Sequence, residues 1–218
     1  MSSRPDLIGE AGLQFFGRMS ASISHELKNV LAIIKENSGL LDDYLNLTAR
    51  GMPLDPERFQ AVTRRIDTQT QRANTIIKTM NQFAHTVDSF CKPVDLNQVL
   101  DLLVALHNRL ATMQQVTLEV QPAREPVQIT TSPFVLLSAL GQGVSFALPA
   151  VPRGAAMALA TVSTNTGGEI IFSGLNEPGA LSMDGFPGDQ GDALLAALRA
   201  ELKIDAATGR MTFVLPRK

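Results

Sequence analysis

From Glu10 to about Thr48 the chain runs without a proline, and apolar residues recur in steps of three and four: Phe16, Met19, Ile23, Val30, Ile33, Leu40, Tyr44 and Leu47. That spacing lines one stripe of an α-helix. A second row, Leu27, Leu31, Ile34, Leu41 and Leu45, lies beside the first, so the helix must be covered by more than one neighbour. The run breaks at Arg50-Gly51-Met52-Pro53-Leu54-Asp55-Pro56, where Asp55 can cap a new helix and Pro56 suits its first position. Phe59, Val62, Ile66, Ala73, Ile76, Met80, Phe83 and Val87 then predict a helix from about Pro56 to Asp88. Two long helices joined by a short turn make an antiparallel hairpin. A lone hairpin cannot bury so broad a stripe, and dimerisation into a four-helix bundle is the expected remedy.

From Pro93 onward the texture changes to mixed α and β. Asp95-Leu96-Asn97-Gln98 reads as a capped helix start continuing to about Met113, and Val116–Val120 alternates as a strand. Val127–Thr130 predicts a second strand, Ser132-Pro133 opens a helix through Leu148, and Ala156–Val162 with Glu169–Phe172 suggest a strand pair. The glycine-rich stretch from Gly174 to Gly191 reads as loop, Asp192 to Leu202 as a helix and Met211–Leu215 as a closing strand. The expectation is α plus α/β: a helical hairpin over residues 1–92, then an α/β sandwich over residues 93–218 with its helices on one face of a sheet.

Composition removes several classes of function. A formal charge of −2 over 218 residues excludes a polyanion binder working by bulk charge. The single cysteine, Cys91, excludes a disulfide framework and cysteine-based zinc motifs, and His25, His85 and His107 show no metal-ligand spacing. No apolar run is read as reaching the roughly 18 residues of a membrane-spanning helix. The opening residues lack the layout of a signal peptide, and a cytoplasmic location is expected. Cys91 has no visible activating partner, and structural roles are expected for His85 and His107.

The informative segment is Ser22-Ile23-Ser24-His25-Glu26-Leu27-Lys28-Asn29. At about 100° per residue, His25 lies about 140° from the apolar stripe and points to solvent. Asn29 shares that face, as do Ser22 and Arg18, and Glu26 is one step round. An exposed imidazole beside a carboxylate can serve as a nucleophile, the acid orienting one ring nitrogen while the other attacks. Taken alone, a surface histidine next to a glutamate is ordinarily a solvated helix face.

The local sequence shifts that balance, because Ser-His-Glu-Leu-Lys-Asn resembles the H-box of two-component sensor histidine kinases. The resemblance implies that His25 accepts the phosphoryl group, that Glu26 assists transfer, and that Glu26 with Asn29 supports receiver dephosphorylation by positioning water. Residues 93–218 look like the kinase ATPase domain of the GHKL (Bergerat) type, but stripped. Pro93–Leu100 is similar to that domain's opening segment, and Leu136–Leu148 aligns with its N-box helix, where Gln142 and Phe146 stand at the family's asparagine positions. Phenylalanine offers no oxygen to a hard cation. The nearest counterpart of the family's Asp-x-Gly-x-Gly motif, Leu175-Asn176-Glu177-Pro178-Gly179, lacks the aspartate and the first glycine.

Charge distribution argues the same way without any alignment. Residues 94–218 hold 8 basic and 11 acidic side chains, with Arg153 the sole cation between Arg124 and Arg199. A triphosphate needs cationic or metal neutralisation. The combined resemblance is to histidine phosphotransferases of the ChpT type, a helical hairpin fused to a degenerate Bergerat-type sandwich. It implies a homodimer exchanging phosphate with the aspartate of a response-regulator receiver domain, with no stably bound cofactor and magnesium supplied by the receiver. An upstream histidine kinase is a further implied partner, and neither nucleic acid nor membrane is. The alternative is a histidine pseudokinase acting as a binding module or receiver phosphatase; an active kinase with a divergent pocket ranks below both.

Overall fold

The computed structural model describes residues 4–176 and 186–217, and within it two compact units, Met19–Asn81 and the remainder up to Arg18 together with Gln82 onward. In the first, the helices α1 (Arg4–Ala49) and α2 (Pro56–Ala84) contribute their stretches within Met19–Asn81 as a hairpin. Met19, Ile23, Val30, Val62 and Ile76 are buried, whereas Leu31, Leu45, Ile77 and Met80 remain exposed. Within a single chain the first predicted row of α1 is buried at Met19, Ile23 and Val30, whereas the second is at best half-buried, at Leu27, Ile34 and Leu41.

The turn between the helices is closed by N–H groups of Arg50 and Met52 donating to the Leu47 carbonyl and that of Gly51 donating to Thr48. Gly51 adopts φ +88°, a left-handed conformation that a side chain would strain. Asp55 Oδ1 then accepts from the N–H groups of Glu57 (3.0 Å) and Arg58 (3.2 Å), as the sequence predicts. Asp55→Ala should cost the chain about 1 kcal/mol, read as a lowered thermal midpoint with helix content retained.

The second unit is an α/β sandwich. Its strands are β1 (Lys92–Asp95), β2 (Thr117–Gln121), β3 (Gln128–Thr131), β4 (Ala156–Thr164), β5 (Gly167–Ser173), β6 (Glu201–Asp205) and β7 (Arg210–Pro216). The main sheet runs β2-β4-β5-β7-β6, parallel between β2 and β4 and antiparallel elsewhere, while β1 and β3 form a separate antiparallel pair. Helices α3 (Leu96–Met113), α4 (Pro133–Ala147) and α5 (Gly188–Leu198) complete it. Alternate residues Met157, Leu159, Ile170, Phe172, Met211, Phe213 and Leu215 are buried on one sheet face, while Ala158, Glu169, Ile171, Thr212 and Val214 are half-exposed on the other. A Cβ on Gly143 of α4 would stand 2.7 Å from the Phe213 ring, which shows how closely that helix lies on the sheet.

Local chemistry explains why α3 and α4 start where the sequence places them. Asp95 Oδ1 accepts from Asn97 N–H (3.0 Å) and Val127 N–H (3.2 Å), capping α3 and pinning the loop before β3. Asn97 exchanges hydrogen bonds with both backbone groups of Ala123 and accepts from the Thr161 hydroxyl. Ser132 Oγ accepts from Val135 N–H ahead of Pro133.

Four expectations need correction. The helix expected over Asp192–Leu202 is α5, starting at Gly188 and ending at Leu198; Arg199 closes it at φ +55° and β6 follows. Leu202 and Ile204 alternate with Glu201, Lys203 and Asp205, a period-two pattern that pairs with β7 and overrides the helical reading. Helix α2 ends at Ala84, with His85–Val87 forming a 3₁₀ turn. In α1 the buried aromatic is Phe15, 1% exposed, and not Phe16, at 38%. Finally, Pro133–Ala150 is long and apolar enough to cross a membrane by length and composition; two-thirds of it is buried, and its α4 portion is a core helix of the sandwich. Of the glycine-rich stretch from Gly174, residues 177–185 lie outside the described residues.

Candidate functional site

His25, Glu26 and Asn29 all lie on α1, so their arrangement is set by one helix. Side chains on a helix lean toward its N-terminus, and a residue four positions on reaches back to its predecessor. Asn29 does this: its Nδ2 lies 3.3 Å from His25 Nδ1, and both residues are exposed. Glu26 is half-buried and, among the described residues, makes no hydrogen bond to the ring. The structure therefore brings Asn29, not the adjacent acid, against the imidazole.

The contact has two chemical readings, because an amide carries a donor and an acceptor at its tip. With Nδ1 unprotonated, the Asn29 amide donates to it. With Nδ1 protonated, the amide turned by 180° accepts from it through Oδ1. The second arrangement leaves the lone pair on Nε2 of an exposed ring, the state an in-line electrophile requires. The local sequence thus supplies a nucleophile and a group that can hold its tautomer, both open to solvent.

The other two histidines are occupied differently. His85 Nδ1 lies 2.8 Å from Asp88 Oδ2 on the surface of the 3₁₀ turn. His107 on α3 is buried, with Nδ1 against the Leu103 carbonyl at 2.9 Å and its ring stacked at 6.2 Å on Phe15. Burial pushes its pKa below the ordinary 6.5; the Leu103 hydrogen bond opposes this and the Arg18 guanidinium adds to it. The sign follows: as pH falls below about 6.5 the unfolded chain takes up a proton that the folded chain refuses, so stability is lost toward acid. The thermal midpoint should fall more between pH 7 and pH 5 in the parent chain than in His107→Leu. Cys91 is an exposed free thiol.

The α/β unit also holds a cleft of about 700 Å³, lined by Arg18, Gln142, Ser145, Phe146 and residues 186–190. The Phe146 and Phe186 rings are stacked 3.9 Å apart and within 6° of parallel across it. A Cβ on Gly191 would stand 2.5 Å from Pro187 and 3.1 Å from Gln142 Oε1, so the start of α5 presses onto α4. Gln142 and Phe146, the positions singled out by resemblance, are half-buried and line this cleft, with the Phe186 ring covering one face of Phe146. Phe186 was missed by sequence reasoning, for no local pattern marks it as a partner of Phe146. Among the described residues no group of three or more His, Cys, Asp or Glu could hold a metal ion.

Comparison with known proteins places these observations. The His Kinase A (phospho-acceptor) domain matches residues 17–86. Among solved structures, a bacterial phosphotransferase is similar over 92% of this chain and 95% of its own, with 13% identity and a TM-score of 0.49. The Acinetobacter baumannii histidine kinase AdeS is similar over 84% and 97%, at 10% identity and a TM-score of 0.45. The ATP-binding domain of PrrB from Mycobacterium tuberculosis covers 60% of this chain and 99% of its own, at 20% identity and a TM-score of 0.45. No curated protein matches the chain. At these identities and TM-scores the structural likenesses carry no residue-level correspondence. The family match falls on the hairpin that carries His25 and covers about a third of the chain, so it is this hairpin that is similar to the phospho-acceptor domain.

Proposed function

We propose that this chain is a phosphorelay protein that carries a phosphoryl group on His25 and exchanges it with a response-regulator receiver, without using ATP. The observation that carries the reading is the exposed His25 ring, its Nδ1 held by Asn29, within the phospho-acceptor hairpin. In the transfer step Nε2 attacks the receiver's aspartyl phosphate, the N–P bond forms, and the P–O bond breaks with its electron pair leaving on the aspartate. The Nδ1 proton stays on the ring, and the reverse step returns the phosphoryl group. Magnesium belongs to the receiver, Glu26 supplies negative charge beside the ring, and the chain works as a cytoplasmic homodimer.

Loss of ATP-dependent autophosphorylation is supported by three features. Phe146 gives a hard cation no ligand, the Phe186 ring stacks on Phe146 on the face of α4 that Gln142 shares, and Arg153 alone supplies positive charge between Arg124 and Arg199. Residues 177–179 of the nearest Asp-x-Gly-x-Gly counterpart lie outside the described residues. The test mixes the full chain with phosphorylated receivers. Acid-labile label on the chain is expected, with no heat of ATP–magnesium binding by calorimetry. Label that leaves the receiver as free phosphate without residing on the chain would favour the phosphatase reading, in which the Asn29 amide holds water. ATP-dependent self-labelling would overturn the reading altogether.

A further inference from the structure

A second pocket of the α/β unit, of about 460 Å³, opens where the C-terminal end of α3 meets the 3₁₀ turn Leu148–Ala150 that closes α4. That volume falls within the range of small-molecule sites. Arg153, the sole cation between Arg124 and Arg199, lines it. Its own turn is fastened across the pocket by two backbone hydrogen bonds. Gly154 N–H donates to the Gln115 carbonyl at 2.7 Å, and Thr117 N–H donates to that of Ala155 at 3.1 Å. Arg153 is exposed and makes no ion pair among the described residues.

Partial negative charge stands opposite this cation. The last carbonyls of a helix carry the negative end of its dipole. Among the described residues no backbone N–H donates to the carbonyls of Met113, Gln114 or Pro149, three residues that line the pocket. Apolar surface completes the lining: Leu148 and Val151 are buried, and Met113 is 71% exposed.

We propose that this pocket binds a free α-amino acid with an aliphatic side chain, held as its zwitterion. The carboxylate takes the fork of Arg153 through two charge-assisted hydrogen bonds. The ammonium, with three donors on one centre, meets the carbonyl ends of α3 and of the turn after α4. The aliphatic side chain packs among Met113, Leu148 and Val151. A simple anion would gain Arg153 but face the negative helix ends, and a simple cation would gain those ends but face Arg153. Only a ligand carrying both charges on neighbouring atoms satisfies both. The site lies wholly within the α/β unit and is independent of the phosphorelay reading.

The experiment titrates the full chain with L-leucine, with 4-methylpentanoate, which lacks the ammonium, and with 3-methylbutylamine, which lacks the carboxylate. Nuclear magnetic resonance follows the Met113 methyl group and the backbone amides of Gln114, Gln115 and Gly154. L-leucine should shift these signals saturably, with a dissociation constant of about 0.1 to 1 mM. Each truncated analogue should bind about tenfold more weakly or worse. Arg153→Gln should weaken L-leucine by about tenfold, and Arg153→Lys by less, since an ammonium keeps the charge but not the fork. The analogue series on the parent chain stays decisive even if a variant misfolds. Absence of a saturable shift with L-leucine, equal binding of either analogue, or unchanged affinity in Arg153→Gln would each overturn the proposal. Transfer from a phosphorylated receiver to His25, measured on the same preparation, tests the phosphorelay reading separately.

Discussion

His25→Ala is expected to reduce phosphoryl exchange with a receiver to background while leaving the far-ultraviolet circular dichroism and thermal midpoint nearly unchanged. The ring is exposed and, among the described residues, its hydrogen bond is to Asn29 alone, so removing it takes away the acceptor atom but almost no packing. Surface substitutions of this kind usually shift stability by about 0.5 kcal/mol or less. Asn29→Ala makes a graded comparison. It keeps Nε2 but frees the ring to rotate and to change tautomer, and losing one orienting hydrogen bond of about 1 to 1.5 kcal/mol corresponds to a transfer rate down by roughly tenfold. Rapid-quench transfer from a phosphorylated receiver separates the two, since His25→Ala should show no labelled intermediate and Asn29→Ala a slower one. Full label on His25→Ala would mean that the phosphoryl group resides elsewhere.

Phe15→Ala should destabilise the α/β unit by about 3 to 5 kcal/mol, whereas Phe16→Ala, one residue on, should cost well under half of that. Phe15 meets Phe83 edge-on at 5.6 Å, stacks with His107 at 6.2 Å and contacts Phe134 at 6.1 Å. A Cβ on Gly141 would stand 2.6 Å from its ring, so the site is filled on every side and truncation leaves a cavity that tight neighbours cannot close. Phe16 packs on Phe83 at 5.4 Å but keeps 38% of its surface exposed. Denaturant titrations of the two variants measure the difference. Equal losses would show that this aromatic cluster is not what fastens the first turns of α1 to α3 and α4.

The hairpin, its turn and the caps of α3 and α4 were legible because their determinants are local. Asp55 reaches its own helix start, Asp95 and Ser132 do the same, and Gly51 sits at the positive φ of the turn. The short strands were harder to read. Lys92–Asp95 contains a proline and becomes β1 only by pairing with β3, and Glu201–Asp205 becomes β6 only by pairing with β7. A strand of four or five residues has too few alternations to declare itself, and its ladder partners lie far away in sequence.

For the site the division is similar. The sequence by itself determined the face that carries His25 and Asn29, because residues four apart on a helix are neighbours whatever the rest of the chain does. It also determined that a second apolar row needs cover, since that row is a matter of helical phase. Only the tertiary structure decided that Phe15 rather than Phe16 is buried, that Asn29 rather than Glu26 touches the imidazole, and that Phe186 stacks on Phe146. Each of those outcomes is a choice between side chains of similar local standing. Helical phase at 100° per residue cannot separate such neighbours; the packing of elements distant in sequence can.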